Sequence, residues 1–150
     1  MENLIDYYVK PHNIVSVDVK EEDIPTVVKD AEIMFKLCST PIGICNGGLA
    51  IAHQQINDKK PLRFFVTNNG TIIVNPMIIR HTNHTVDSKE GCLSFPDRLP
   101  IIVQRYNKCE VAYRRLVDGK LTEEMKRNLS GKESKVWQHE IKHFSCDYIY

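Results

Sequence analysis

From Ile24 onward the apolar residues Val27, Val28, Ala31, Met34, Phe35 and Cys38 follow at three- and four-residue spacing, the stripe of a helix laid against a core. Asp23 and Pro25 suit its start, because a proline in the first turn lacks an amide that would have no helical partner there. Between Leu62 and Leu116 the pattern changes to short runs rich in β-branched and aromatic residues: Leu62 to Thr67, Thr71 to Ile79, Ile101 to Tyr106 and Cys109 to Leu116. Asn68, Asn69 and Gly70 join the first two runs as a hairpin turn, and Asp118 with Gly119 marks a second turn before a polar, lysine-rich stretch. The helical period returns from Gly131 to Cys146, where Ser130 and Glu133 have the spacing of a capping box. Trp137, Ile141, Phe144 and Tyr148 fall in one stripe of this helix, whereas His139, Glu140 and His143 project from another sector. Such a helix belongs inside the domain, against the sheet.

Strands clustered between two helices, without alternating helical crossovers, predict an α+β fold. Its mostly antiparallel sheet encloses the C-terminal helix, and the N-terminal helix packs outside. With 150 residues, 42% hydrophobic and 26% charged, the chain has the make-up of one domain spanning residues 1–150. The formal charge of +1 arises from interspersed acids and bases, so no nucleic-acid partner is implied. The opening MENLIDYYVK is not a basic start followed by an apolar run, and no stretch approaches membrane-spanning length, which predicts a cytoplasmic protein without a membrane partner. Five cysteines, Cys38, Cys45, Cys92, Cys109 and Cys146, form neither a CxxC pair nor a disulfide framework, a pattern that suits a reducing compartment.

His139, Glu140 and His143 spell H-E-x-x-H. Histidines one helical turn apart can both reach one metal ion, and the glutamate between them can contact an attacking water. The motif alone does not decide, since pairs at this spacing also occur as ordinary surface or buried groups. A catalytic metal usually takes three protein ligands and keeps one position open. Downstream of His143 the candidates for the third are Cys146 and Asp147, which lie on the same helix or its end, where geometry serves them poorly. The ligand is better sought upstream, where Glu90-Gly91-Cys92-Leu93-Ser94 sets a cysteine in a turn-bounded segment.

At this point the sequence resembles the peptide deformylases. Three signature segments of that family stand in order: Gly48-Leu49-Ala50-Ile51-Ala52-His53-Gln54-Gln55, then Glu90 to Ser94, then Gln138 to His143, with Asn75-Pro76 ahead of the second. The resemblance implies a hydrolase that removes the N-formyl group from formyl-methionine on nascent peptides. Cys92, His139 and His143 would hold one divalent metal ion, Fe2+ natively, with Zn2+, Ni2+ or Co2+ able to occupy the same ligands. Glu140 would take a proton from the water attacking the formyl carbon and deliver it to the departing amine. The side-chain amide of Gln55 and the backbone N–H of Leu93 would meet the negative charge growing on the formyl oxygen. Glu90 and Gln138 would orient the ligands and their loop. The peptide would pair with the strand edge at Gly48, Leu49 and Ala50, while Leu49, Val136 and His139 border the methionine pocket. The implied partner is an N-formylmethionyl nascent peptide, met near the ribosome exit region.

Four departures from the family pattern bear on substrate preference and rate. Ala50 stands where a second glycine is usual, with Gly47 displaced to the other side of Gly48; a methyl there would narrow the channel or forbid a glycine-only backbone angle. His53 replaces a small residue, Lys142 replaces an acid, and Phe144-Ser145-Cys146 replaces Leu-x-Gly. The chain stops shortly after the helix, as expected of a compact member of the kind some viruses encode, which would work in the host cytoplasm. Three alternatives stay open: altered substrate preference, a different zinc peptidase with another third ligand, and a non-catalytic binding module. In the last, Cys146 or His53 would close a structural metal site.

Overall fold

The structure, a computed structural model, describes residues 3–42 and 48–150. Its elements in chain order are α1 (Ile24–Cys38), β1 (Ala50–Ala52), β2 (Phe64–Thr67), β3 (Ile72–His81), β4 (Thr85–Glu90), β5 (Ile101–Tyr106), β6 (Lys108–Val117), β7 (Lys120–Leu121), β8 (Met125–Ser130) and α2 (Gly131–His143). Strands β1, β2, β3 and β6 pair in that order, and β7 and β8 both pair with β6. A separate two-stranded sheet is made by β4 and β5. All of these ladders are antiparallel, so the α+β expectation holds.

Alternation along the strands explains why the sheet is buried on both faces. In β2, Phe64 and Val66 join Ile51 of β1 and Val74 of β3 in a cluster with Val27, Ala31, Met34 and Leu37 of α1. Phe65, one residue out of phase, joins Ala50, Ala52, Ile73, Val111 and Leu129 against Trp137 and Phe144 at the other helix. A period of two thus sends one strand's side chains to two separate cores. Helix α1 covers one face and α2 the other. Trp137 meets Phe65 and Tyr113 edge to face, with ring centroids 5.3 and 5.0 Å away, contacts that add about 1 kcal/mol each beyond burial.

The β2–β3 turn falls at Asn68, Asn69 and Gly70 as expected, and Gly70 has φ +90, a region open to glycine. In α1 the inward stripe runs through Val27, Ala31, Met34, Leu37 and Cys38; Val28 is exposed, and Leu37 takes the core place instead. Helix α2 is shorter than the apolar period suggests. It ends at His143, and Cys146 adopts a left-handed conformation (φ +59) that stops it. The capping box is not formed. Ser130 makes no side-chain cap, and Glu133 instead pairs with Arg127 at 2.8 Å. The polar stretch after Asp118 holds β7 and β8, which the sequence pattern does not announce.

Asn75 sits at an irregularity in β3 between Val74 and Met77, with φ +50. Its side chain acts as a short strand for Val19, accepting from the Val19 N–H at 2.8 Å and donating to the Val19 carbonyl at 3.1 Å. Asparagine tolerates the left-handed region better than other chiral residues. Replacing it removes both partners of a buried backbone unit. Asn75→Ala is expected to lose about 2 kcal/mol, read as a lower urea midpoint with an unchanged slope.

Candidate metal centre

Helix α2 delivers His139, Glu140 and His143 from one sector, and the turn after β4 delivers Cys92 to meet them. The Nε2 atoms of His139 and His143 lie 3.2 Å apart, and the Cys92 Sγ is 3.6 Å from the His143 Nε2. All three side chains offer an atom within 4.8 Å of the others. Metal–nitrogen bonds of about 2.0 Å and a metal–sulfur bond of about 2.3 Å at tetrahedral angles put nitrogens about 3.3 Å apart, and nitrogen and sulfur about 3.5 Å apart. Two of the three donor pairs therefore already stand at the spacing one ion requires, and the third lies within 4.8 Å. Among the described residues, this is the only cluster with such geometry.

Each imidazole is set by what holds it. The His139 Nδ1–H donates to Glu90 Oε1 at 2.7 Å, which leaves Nε2 for the cluster. Glu90 is itself held by Arg105, whose Nε and Nη2 donate at 2.9 and 2.7 Å, and by the Ser88 hydroxyl at 2.6 Å. Burial alone would raise the Glu90 pKa; hydrogen bonds from His139, Arg105 and Ser88 outweigh it and hold the carboxyl at about 2. Burial likewise disfavours charge on His139, but its bonds to Cys92 and Glu90 raise it to about 10. His143 goes the other way, pushed well below the usual imidazole range by burial and by the charge on His139. Two Nε2 atoms 3.2 Å apart leave room for one proton between them at most.

Glu140 is buried, with Oε1 3.9 Å from the His139 Nε2 and Oε2 without a partner. Burial raises its carboxyl to about 7. Gln55 stands on the opposite wall. Its Oε1 accepts from the Ala52 N–H at 3.0 Å, which turns the amide nitrogen toward the Ser94 hydroxyl at 3.0 Å and the Cys92 sulfur at 4.0 Å. The Leu93 N–H, next to Cys92, has no hydrogen-bond partner among the described residues. A cavity of about 440 Å³ opens on these groups, lined also by Gly48, Leu49, Ala50 and Val136. All the residues expected to touch substrate thus border one space. A Cβ at Gly48 would come within 2.8 Å of Leu93 Cδ1, so a larger residue there would require the Leu93 side chain to move. Ala50 lies in regular strand pairing opposite Thr67, without left-handed backbone. The residue borders the cavity while its side chain belongs to the buried cluster of Phe65 and Ile73.

His53 and Cys146 do not close the site. The His53 Nε2–H donates to Asp30 at 2.8 Å and its Nδ1 accepts from the Leu62 N–H at 2.9 Å, so both nitrogens are engaged. The Cys146 thiol donates to the Ile14 carbonyl at 3.1 Å. Lys142 is exposed and pairs with Asp147. Gln138 is buried and pins α2 to the end of β5, accepting from the Tyr106 N–H at 2.8 Å and donating to the Tyr106 carbonyl at 2.7 Å. Gly47 and Cys45 lie outside the described residues. Sequence reasoning missed Arg105, Ser88 and Ser94. Alternation in β5 could have found the first, because Ile101, Val103 and Arg105 share a face and only an anion makes burial of Arg105 tolerable.

Comparison with known proteins finds relatives of this chain over most of its length. The family model described as polypeptide deformylase matches residues 12–150. A peptide deformylase from Thermotoga neapolitana is 34% identical over 101 residues, covering 65% of this chain and 57% of the relative. Peptide deformylase 2 from Bacillus anthracis is 31% identical over 97% of this chain and 79% of its own length. The crystal structure of the peptide deformylase from Vibrio parahaemolyticus bacteriophage VP16T, in complex with actinonin, superposes with a TM-score of 0.74 at 25% identity, covering 95% of this chain and 98% of that one. The chain spans about 57% of the length of the Thermotoga relatives it matches.

Two variants test the cluster. Cys92→Ala is expected to lose stoichiometric metal, and retention of a full equivalent would exclude the thiol as a ligand. Glu90→Gln keeps the shape but weakens the hold on His139 and Arg105, so metal affinity should fall about 10- to 100-fold in a chelator competition. Unchanged affinity would show that Glu90 serves only the hairpin.

Proposed function

The chain belongs to the polypeptide deformylase family, and on that footing we propose that it is a metal-dependent hydrolase removing the N-formyl group from formyl-methionine at the N-terminus of nascent peptides. The observation that carries this reading is the meeting of Cys92, His139 and His143 at ligand spacing beside a buried Glu140 oxygen that has no partner. Three protein donors leave room for water, as catalytic sites do and closed structural sites do not. With His53 and Cys146 engaged elsewhere, a structural-metal reading lacks its fourth ligand.

Cys92 as thiolate and the Nε2 atoms of His139 and His143 are the residues that would hold a divalent ion, Fe2+ in this reading. When bound, it supplies Lewis acidity and eases the loss of a proton from water. Glu140 accepts that proton as the water attacks the formyl carbon, then hands it to the amine as the C–N bond breaks. A carboxyl held near 7 by burial suits both halves of the task. The formyl oxygen gathers negative charge, which the Gln55 amide and the Leu93 N–H meet with donors fixed in advance. The peptide runs along the edge at Gly48, Leu49 and Ala50, with the methionine side chain against Leu49, Val136 and the ring of His139. Residues 1–150 act as one catalytic domain, in the cytoplasm, near the ribosome exit region where formylated chains emerge. No helix among the described residues is long and apolar enough to cross a membrane.

Glu140→Gln separates chemistry from metal binding. The amide keeps the size of the side chain but cannot take the proton, so hydrolysis of a formyl-Met-Ala-Ser peptide should fall at least about 100-fold with metal content unchanged on the same preparation. A metal-replete variant with near-normal turnover would sink the mechanism.

A further inference from the structure

We infer that Tyr148 is a positioning residue for the two donors that face the formyl oxygen, the Gln55 amide and the Leu93 N–H, an inference that rests on the deformylase reading above. Those donors come from separate segments, and what they do for the reaction depends on where each stands relative to the other. Tyr148 touches both segments from outside the cavity, of which it is not a lining residue. Its hydroxyl accepts from Gln54 Nε2 at 2.6 Å, one residue before Gln55. Its ring stands edge to face with Phe95, 5.6 Å between centroids. The Phe95 N–H donates to the Cys92 carbonyl at 2.9 Å and so closes the turn that holds Leu93 and Ser94.

The hydroxyl acts through a single turn of helix. His53, Gln54 and Gln55 form a 3-10 turn, in which neighbouring side chains diverge by about 120°. Gln55 lines the cavity, and the wholly buried Gln54 reaches Tyr148 instead. The Gln54 carbonyl accepts from His12 Nε2 at 2.9 Å, and the His12 N–H donates to the same Tyr148 hydroxyl at 3.2 Å. His12 Nδ1 accepts from the Ile14 N–H, which leaves the ring proton on Nε2 for the Gln54 bond. Gln54, His12 and Tyr148 thus close a ring of three hydrogen bonds, and a rotation of the turn that breaks it carries Gln55 along. The Gln55 amide itself donates to the Ser94 hydroxyl at 3.0 Å. That contact alone lets the two segments swing about it; the link through Tyr148 is the second point that fixes their orientation. Displacing such a group by about 1 Å can cost about 100-fold in rate.

Tyr148→Phe tests this, because it keeps the ring against His143 and Phe95 and removes only the hydroxyl. On the iron-loaded protein kcat for formyl-Met-Ala-Ser should fall about tenfold, with KM within about twofold and metal affinity unchanged in a chelator competition. A role confined to stability would lower the urea midpoint and leave kcat alone at a temperature where both proteins are folded. The double variant Gln55→Ala, Tyr148→Phe should be little slower than Gln55→Ala, because the amide being positioned is gone. Unchanged kcat in Tyr148→Phe, a fall in metal affinity that accounts for the lost rate, or effects that multiply in the double variant would overturn the inference. If the parent protein turns over no formyl peptide, the deformylase reading fails instead. Hydrogen exchange at the Ile56 N–H, which bonds to the His53 carbonyl at 3.0 Å and closes the turn, then decides the positioning by itself. It should be about fivefold faster in Tyr148→Phe, the size of one net hydrogen bond, and equal rates overturn the inference.

Discussion

Helix α2 carries Ser134, Gln138, Glu140 and His143 into the interior, and a buried polar group costs several kcal/mol unless something bonds to it. Much of the surrounding architecture answers that constraint. The Ser134 hydroxyl and Gln138 bond to Tyr106, where β5 turns toward β6, and so lock the helix to both sheets. Glu90 and Arg105 come from the β4–β5 pair to hold His139. What remains without a partner is Oε2 of Glu140 and Nδ1 of His143. Glu140 is among the residues lining the cavity where chemistry is proposed. The satisfied groups fix the helix, and the unsatisfied carboxylate oxygen is the one free to react.

The two helices, the β2–β3 turn and the clustering of Cys92 with the histidines were legible because each leaves a strong local mark: a 3.6-residue period, an Asn-Asn-Gly run, or a pair of signature segments. The strands β4 and β8 were not. In β4 the inward positions are Val86, Ser88 and Glu90, two of them polar, and of β8 only Leu129 is buried, so neither shows a hydrophobic period of two. Their backbones are held by pairing with β5 and β6, which leaves no trace in the side chains. The capping box misled for a different reason. Gly131 turns the chain with φ +58, and Glu133 finds a stronger partner in Arg127 than in a helix amide.

Arg105 illustrates what a motif leaves out. The ligands and Glu140 are spelled in the sequence, but the group that neutralises Glu90 comes from a strand 15 residues away. A buried carboxylate beside an imidazole would be costly alone; the bidentate guanidinium makes it tolerable and fixes its direction. His53 belongs to the same kind of hidden support. It stacks on Phe64 and joins Asp30 of α1 to the short turn that ends in Gln55, so a residue that departs from the family pattern links the outer helix to the wall of the cavity.

The C-terminal end of α2 is held by the opposite end of the chain. The Ser16 N–H donates to the Phe144 carbonyl, the Cys146 thiol donates to Ile14, and the His12 N–H reaches the Tyr148 hydroxyl across 136 residues of sequence. The Tyr148 ring packs against His143, 5.3 Å between centroids. Bringing such distant segments together carries a loop-closure cost, and topologies rich in these contacts fold slowly. The surroundings of the His143 ring thus depend on a contact between segments far apart in sequence and not on α2 alone. A substitution that loosens the Tyr148 ring would act on a metal ligand from a position no signature segment contains.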